Sequence, residues 1–159
     1  MAKSKKSKKK SALTYIKYGA VLLGIVGAIM TVLGFVNYGD SSFSGINVIF
    51  GYTGTLSGFV SISKQILSFS IMALLAVLLP LAGSFSVLFK NKIIRLVGAL
   101  MMIAGAVLCF LMPNFIVFVD SATASIFSLA NASLGIGAIL AGVFFGIGAL
   151  CNLYAVIEK

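Results

Sequence analysis

The chain has 159 residues, of which 60% are hydrophobic and only 9% are charged. Its mean hydropathy is +1.16, whereas a soluble globular domain carries about 25% charged residues. Composition therefore predicts an integral membrane protein. The formal net charge is +9, but the basic residues are concentrated near the N-terminus. Nucleic-acid binding needs a basic surface on a folded domain or a recognised module, so we expect no nucleic-acid partner.

The residue types that carry most catalytic and metal chemistry are scarce. The chain has no histidine, and its three acidic residues are Asp40, Asp120 and Glu158. General acid–base catalysis needs a placed histidine or carboxylate pair, and metal sites need clustered histidine, cysteine or carboxylate ligands. We therefore predict that the protein is not an enzyme and holds neither a cofactor nor a metal. The two cysteines, Cys109 and Cys151, lie in different apolar segments, so a disulfide between them is not expected.

Residues 1–13 form a basic tail that is too charged and too poor in apolar residues to fold alone. We predict that it is disordered, that it holds the N-terminus in the cytoplasm, and that it contacts anionic lipid of the inner leaflet. The candidate lipid-surface residues are Lys3, Lys5, Lys6, Lys8, Lys9 and Lys10.

Residues 14–159 contain four long apolar segments, each of a length that can cross a bilayer. They cover residues 14–36, 65–89, 93–112 and 132–157. The sequence thus predicts an all-α membrane protein, a four-transmembrane-helix bundle with long loops at 37–64 and 113–131. Eleven of the twelve basic residues lie in the tail and first segment, the Lys90–Arg95 turn and Lys159, and the loops hold only Lys64. By the positive-inside rule we expect a multi-pass protein of the cell membrane with both termini cytoplasmic.

Small residues recur at helical spacing on the first and fourth segments. Lipid gives no hydrophobic reward for helix pairing, so such faces are how membrane helices approach closely. We predict that the two faces pack on each other, with Gly142 and Gly146 central to the contact. The candidate packing residues are Ala20, Gly24, Gly27 and Thr31 on the first segment, and Gly135, Ala138, Gly142, Gly146 and Ala149 on the fourth.

The first long loop carries a β-hairpin signal. Apolar and polar residues alternate over 46–52 and again over 56–63, on both sides of Thr53-Gly54-Thr55, and this pattern predicts two strands joined by a short turn. In the second loop, the apolar run 115–119 fits either a third strand or a helical extension of the third segment. Periodicity does not separate these two structures for so short a run.

The order of four spans, a strand-rich first outer loop, a short inner turn and a smaller second loop resembles the claudin-type arrangement. The resemblance covers element order and loop length only. The chain has no tryptophan and no cysteine in either loop, so the residues that mark the first loop of that family are missing.

Two functions remain open at this point. The first is a structural or interaction protein that presents an extracytoplasmic element to a membrane-protein partner or to a second copy of itself. The alternative is a self-associating small pore former, or an accessory subunit of a channel or transporter. No ionisable residue lies in the middle of any predicted span, and such residues mark ion and substrate paths. The sequence therefore favours the interaction protein.

Overall fold

The computed structural model describes residues 2–56, 62–128 and 131–157. The helices are α1 (Ala2–Ile29), α2 (Gly45–Phe50), α3 (Ile71–Ser86), α4 (Lys92–Phe110), α5 (Ser121–Ser128) and α6 (Ile136–Ile157). The strands are β1 (Gly34–Tyr38), β2 (Ser41–Ser44), β3 (Tyr52–Leu56), β4 (Ile62–Leu67) and β5 (Ala132–Leu134). Short 3-10 turns follow α1 at Met30–Val32 and α4 at Met112–Phe115.

Three helical segments within the described residues are long and apolar enough to cross a membrane: Ala12–Val32, Lys92–Phe110 and Ile136–Ile157. The fourth apolar helix, α3, is shorter, with 16 residues. Helix α3 begins at Ile71 and not at residue 65, where the predicted span begins, because residues 65–67 belong to strand β4. Ser70 then caps α3 by accepting a hydrogen bond from the backbone N–H of Ala73 at 3.3 Å.

Helix α1 begins at Ala2, so the backbone of the basic segment, which we predict to be disordered, is helical. Lysine is a good helix former, and extending an existing helix avoids the unfavourable nucleation step. At its other end α1 stops before Gly34, because the last residues of the predicted span belong to β1.

The four long helices pack in a closed order, α1 against α3, α3 against α4, α4 against α6, and α6 against α1. The interfaces are built from small residues. A Cβ built at Gly83 of α3 would lie 2.5 Å from the backbone oxygen of Gly98 on α4, and a Cβ built at Gly105 would overlap the ring of Pro80. We call the end that carries the α3–α4 connection the turn end, and the opposite end the sheet end.

Two small antiparallel sheets lie at the sheet end, one with strand order β2-β1-β5 and the other the hairpin β3-β4. A hairpin thus occurs in the first loop, as predicted, but its first strand lies further along the chain than the predicted arm 46–52. Of the predicted second arm, 56–63, residues 57–61 lie outside the described residues. The predicted first arm is largely α2, whose N-terminus is capped by the Ser44 hydroxyl accepting from the Asn47 N–H at 3.3 Å. The predicted turn, Thr53 to Thr55, is part of strand β3.

Candidate functional site

The two long loops join into one folded unit at the sheet end. Strand β1, which follows α1, pairs with β5, which precedes α6, so that Val36 lies opposite Leu134 and Tyr38 opposite Ala132. The Gly135 N–H donates to the Phe35 carbonyl at 2.9 Å, and a Cβ built at Gly135 would overlap the backbone of Gly34. We call the unit formed by residues 34–56, 62–70 and 112–128 with β5 the cap.

A series of aromatic rings packs inside the cap. Tyr38 contacts Phe118 edge-to-face at 5.7 Å between ring centroids, and Phe43 contacts Tyr52 in the same way at 5.6 Å. Tyr38 and Phe43 join the two pairs at 6.3 Å. Such contacts contribute roughly 0.5–1.5 kcal/mol each beyond area burial. Burial also raises the pKa of the Tyr38 hydroxyl. The rings connect β1, β2, β3 and the second loop, and Tyr38 and Phe43 belong to the same hydrophobic core as the buried residues of α3, α4 and α6.

The second loop runs beside the hairpin as an extended segment. The Ser68 N–H donates to the Val117 carbonyl at 2.8 Å, and the Val119 N–H donates to the Ile66 carbonyl at 3.2 Å. Phe118 forms an isolated antiparallel bridge with Leu67. Of the two alternatives for 115–119, the structure therefore has the strand-like one over residues 116–119, while Phe115 ends the 3-10 turn.

An ion pair between Lys64 on β4 and Asp120 closes this junction. The Thr123 N–H also donates to Asp120 at 2.7 Å. These two partners, Lys64 first, hold the pKa of the Asp120 carboxyl below its usual range. Because a lowered pKa means that the folded state favours the ionised form, the contact stabilises the folded state at neutral pH. It is lost only as the pH falls through the lowered pKa.

We expect the carboxyl of Asp120, followed by NMR titration, to have its midpoint below the usual aspartate range. Substituting Lys64→Met removes the first partner and should move the midpoint upward, while Thr123 still lowers the pKa. A midpoint that is the same in both proteins would show that Lys64 does not contact Asp120 in solution.

The candidate packing residues of α1 are all in contact with other elements, but with several partners. Ala20 is fully buried near Val87 and Ala155. A Cβ built at Gly24 would overlap Ser84 of α3, and one built at Gly27 would overlap the ring of Phe145 on α6. Thr31 is buried beneath Gly45 of α2. The small-residue face of α1 therefore packs against α3, α6 and the cap.

On α6 the contact with α1 uses a different set of residues from the one predicted. Ala138 and Ala149 are buried, but a Cβ built at Gly142 would meet Phe110 of α4 at 2.8 Å, and one built at Gly146 would meet nothing within 4 Å. The close approach falls instead at Gly137, whose built Cβ lies 2.7 Å from the Met30 oxygen in the turn after α1. A Cβ built at Gly148 would lie 2.5 Å from Met102 Cε of α4 and 3.5 Å from Leu23 Cβ of α1. The residue of α6 that faces Gly27 of α1 is Phe145, a large side chain and not one of the predicted small residues.

Three polar side chains that the sequence reasoning did not single out lie buried near the turn end: Ser86, Arg95 and Asn152. Asn152 on α6, which is 0% exposed, donates from Nδ2 to the Gly83 carbonyl and to Ser86 Oγ, both at 3.2 Å. Arg95, which is 8% exposed, donates from Nε to the Phe89 carbonyl at 2.6 Å and from Nη1 to the Ala155 carbonyl at 3.0 Å. A lone asparagine in an apolar run was the available signal for this cluster.

The remaining site predictions concern lipid and metal. The side chains of Lys3, Lys5, Lys6, Lys8, Lys9 and Lys10 lie outside the described residues, although their backbone belongs to α1. Within the described part of the chain, no group of three histidine, cysteine, aspartate or glutamate residues is placed to hold a metal ion. Comparisons with models of known protein families, with curated proteins and with solved structures found no match for this chain.

Proposed function

We propose that this chain is a multi-pass membrane protein that crosses the bilayer four times and acts by interaction, presenting its cap outside the cytoplasm. The observation that carries this proposal is the pairing of β1 with β5. This pairing fixes both loops on the ends of α1 and α6, so the cap is a folded surface on a rigid base.

Membrane placement is supported by the outward faces of the helices. Each long helix has an exposed leucine on its outward face, with exposed fractions between 47% and 66%: Leu22, Leu78, Leu100 and Leu150. Soluble proteins rarely expose large contiguous apolar patches, whereas lipid tails solvate such a surface without cost. We therefore take all four helices as spans.

The orientation follows from charge. Lysines in the tail and at the turn end face the cytoplasm under the positive-inside rule, and the cap, with Lys64 as its one basic residue, faces outward. In this orientation the tail lysines lie on the side of the anionic inner leaflet, where each lysine near the surface contributes about 1 kcal/mol of attraction.

The cap supplies polar groups for recognition. Thr53, Ser63, Lys64 and Gln65 on the hairpin are exposed. Asp120 is held by Lys64 and Thr123, and Asp40 lies in the β1–β2 turn. Catalysis would need acid, base and nucleophile groups in mutual reach. Separated carboxylates and the exposed polar residues of the β3-β4 hairpin are better suited to binding a protein surface.

Single cysteines introduced into a background lacking Cys109 and Cys151 test this proposal. In intact cells, Asp40→Cys and Ser121→Cys should react with a membrane-impermeant thiol reagent, and Ser7→Cys should react only after the membrane is permeabilised. The reverse pattern would overturn the orientation.

A photocrosslinker attached at Gln65→Cys tests the interaction in native membranes. We expect one discrete adduct from this position and none from the matched position Leu150→Cys on the lipid-facing side of α6. Adducts only between copies of this chain, formed from α6, would favour the self-associating pore former over the proposed function.

A further inference from the structure

Helix α2 has one buried face and one exposed apolar face. Val48 and Ile49 are 2% and 5% exposed and belong to the hydrophobic core, whereas Ile46 and Phe50 are 44% and 67% exposed. Residues four apart lie on the same side of a helix, so Ile46 and Phe50 form a single outward surface. Nothing within the described residues covers Phe50 to the extent expected for so large an apolar ring.

Contacts between α3 and α4 show at what height α2 lies. The thiol of Cys109 on α4 lies 3.7 Å from the Ala76 carbonyl on α3, and the Ser70 hydroxyl donates to the Phe115 carbonyl at 2.8 Å. Ser70 is therefore level with Phe115. The Ser70 N–H donates to the Ile49 carbonyl at 3.1 Å, which fixes the C-terminal end of α2 at the same level.

This level is separated from the turn end by about the thickness of the hydrocarbon core. Lys90 and Lys92 mark the polar boundary there, and the apolar sequence of α4 begins at Ile93. A hydrocarbon core of about 30 Å corresponds to roughly 20 residues of helix at 1.5 Å per residue. Counting from Ile93 reaches Pro113, which lies just below Phe115. The outer boundary of the hydrocarbon core thus passes beside α2.

The exposed side of α2 belongs to a larger apolar belt at this height. Val32 and Leu33 follow α1, and Phe69 and Ile71 precede or begin α3; all four are more than 40% exposed. The belt is continuous in sequence with the lipid-facing sides of α1 and α3. This continuity indicates lipid rather than a second protein as the occupant of the α2 surface.

We infer that α2 is an interfacial helix, which lies in the boundary between headgroups and acyl chains of the outer leaflet with Ile46 and Phe50 in contact with lipid. The inference rests on the proposed membrane function. Interfacial helices bury an apolar face about 5–10 Å into this boundary. In this position α2 seats the cap on the membrane, with the β3-β4 hairpin following directly from the C-terminal end of the helix.

The chain has no tryptophan, so a single introduced tryptophan is a clean reporter of depth. We would reconstitute the full-length variants Phe50→Trp, Ile103→Trp and Asp40→Trp in phosphatidylcholine vesicles that carry bromine at shallow or deep acyl positions. Ile103 is exposed on α4 about 15 Å from Ile93, so it marks the bilayer centre, and Asp40 marks the cap turn. Ile46→Trp provides a second reporter on the α2 surface.

We expect shallow bromines to quench Phe50→Trp and Ile46→Trp more strongly than deep bromines, with the order reversed for Ile103→Trp. Aqueous iodide should quench Asp40→Trp most. Quenching of Phe50→Trp and Ile46→Trp by iodide alone, or by neither quencher, would overturn the inference, since the surface would then face water or protein. If Ile103→Trp is quenched by neither brominated lipid, the proposed membrane function itself fails.

Discussion

Replacing Arg95 with leucine should lower the free energy of unfolding by about 2–4 kcal/mol, since hydrogen bonds from charged donors are each worth about 1.5–3 kcal/mol. The variant loses two of them, one to the Phe89 carbonyl and one to the Ala155 carbonyl. Relief from burying the guanidinium offsets part of the loss. The measurement is chemical unfolding in detergent micelles.

Two substitutions separate the role of Arg95 from a general effect of charge. Lys92→Leu removes an exposed cation from the same turn and should change stability little. Arg95→Lys keeps the charge but lacks the planar fork that reaches two carbonyls at once, so its stability should fall between those of the parent and Arg95→Leu. Equal effects of Arg95→Leu and Lys92→Leu would show that the two carbonyl contacts do not hold the turn.

Arg95 ties together elements that are distant in sequence. Phe89 follows α3, and Ala155 lies in the last turn of α6, where backbone carbonyls have no partner within the helix. A cation at a helix C-terminus also interacts favourably with the helix dipole. The guanidinium therefore fixes the α3–α4 connection against the end of α6, beside the Asn152 cluster.

Hydropathy and helical length predicted the long helices because each apolar run carries at most one charged residue, Lys17 in the first and Arg95 in the third, both near the start of the run. They did not predict where the helices end. Phe35 and Val36 are as apolar as any helical residue, and only their pairing with β2 and β5 makes them strand. The pairing with β2 is local, across the turn at Gly39, where φ is 55°. The pairing with β5 joins Val36 to Leu134, about 100 positions away, and no local pattern predicts it. For α2, six residues are too few for helical and strand periodicity to differ, and the local signal of its start is the cap at Ser44.

Small residues at helical spacing predicted that α1 and α6 are packing helices, but not which atoms meet. A glycine face spans an arc wide enough for two neighbours: Gly142 of α6 faces Phe110 of α4, whereas Gly27 of α1 faces Phe145 of α6. The burial of Asn152 was not predicted, because a single polar residue near a helix end also fits the membrane interface. Its burial depends on Gly83 and Ser86 of another helix, which the sequence alone does not bring together.

Alanine at Gly83 and alanine at Gly146 should change stability in opposite directions. A Cβ at Gly83 would lie 2.5 Å from the Gly98 backbone oxygen and 2.9 Å from Met102 Cγ. The methionine can move, but the carbonyl moves only if α4 shifts. Overpacking of this kind costs about 1–3 kcal/mol, which exceeds the gain in helix propensity of about 1 kcal/mol for replacing glycine by alanine.

At Gly146 a built Cβ meets nothing within 4 Å, so Gly146→Ala should keep the propensity gain and stabilise the protein by up to about 1 kcal/mol. Gly19, where a built Cβ also meets nothing, is the matched control on α1 and should behave in the same way. Unfolding of the three variants in detergent measures the differences. Because Gly83 is a contact between α3 and α4 and Gly146 is open, a destabilised Gly146→Ala would mean that another helix, from this chain or a second copy, packs on that side of α6.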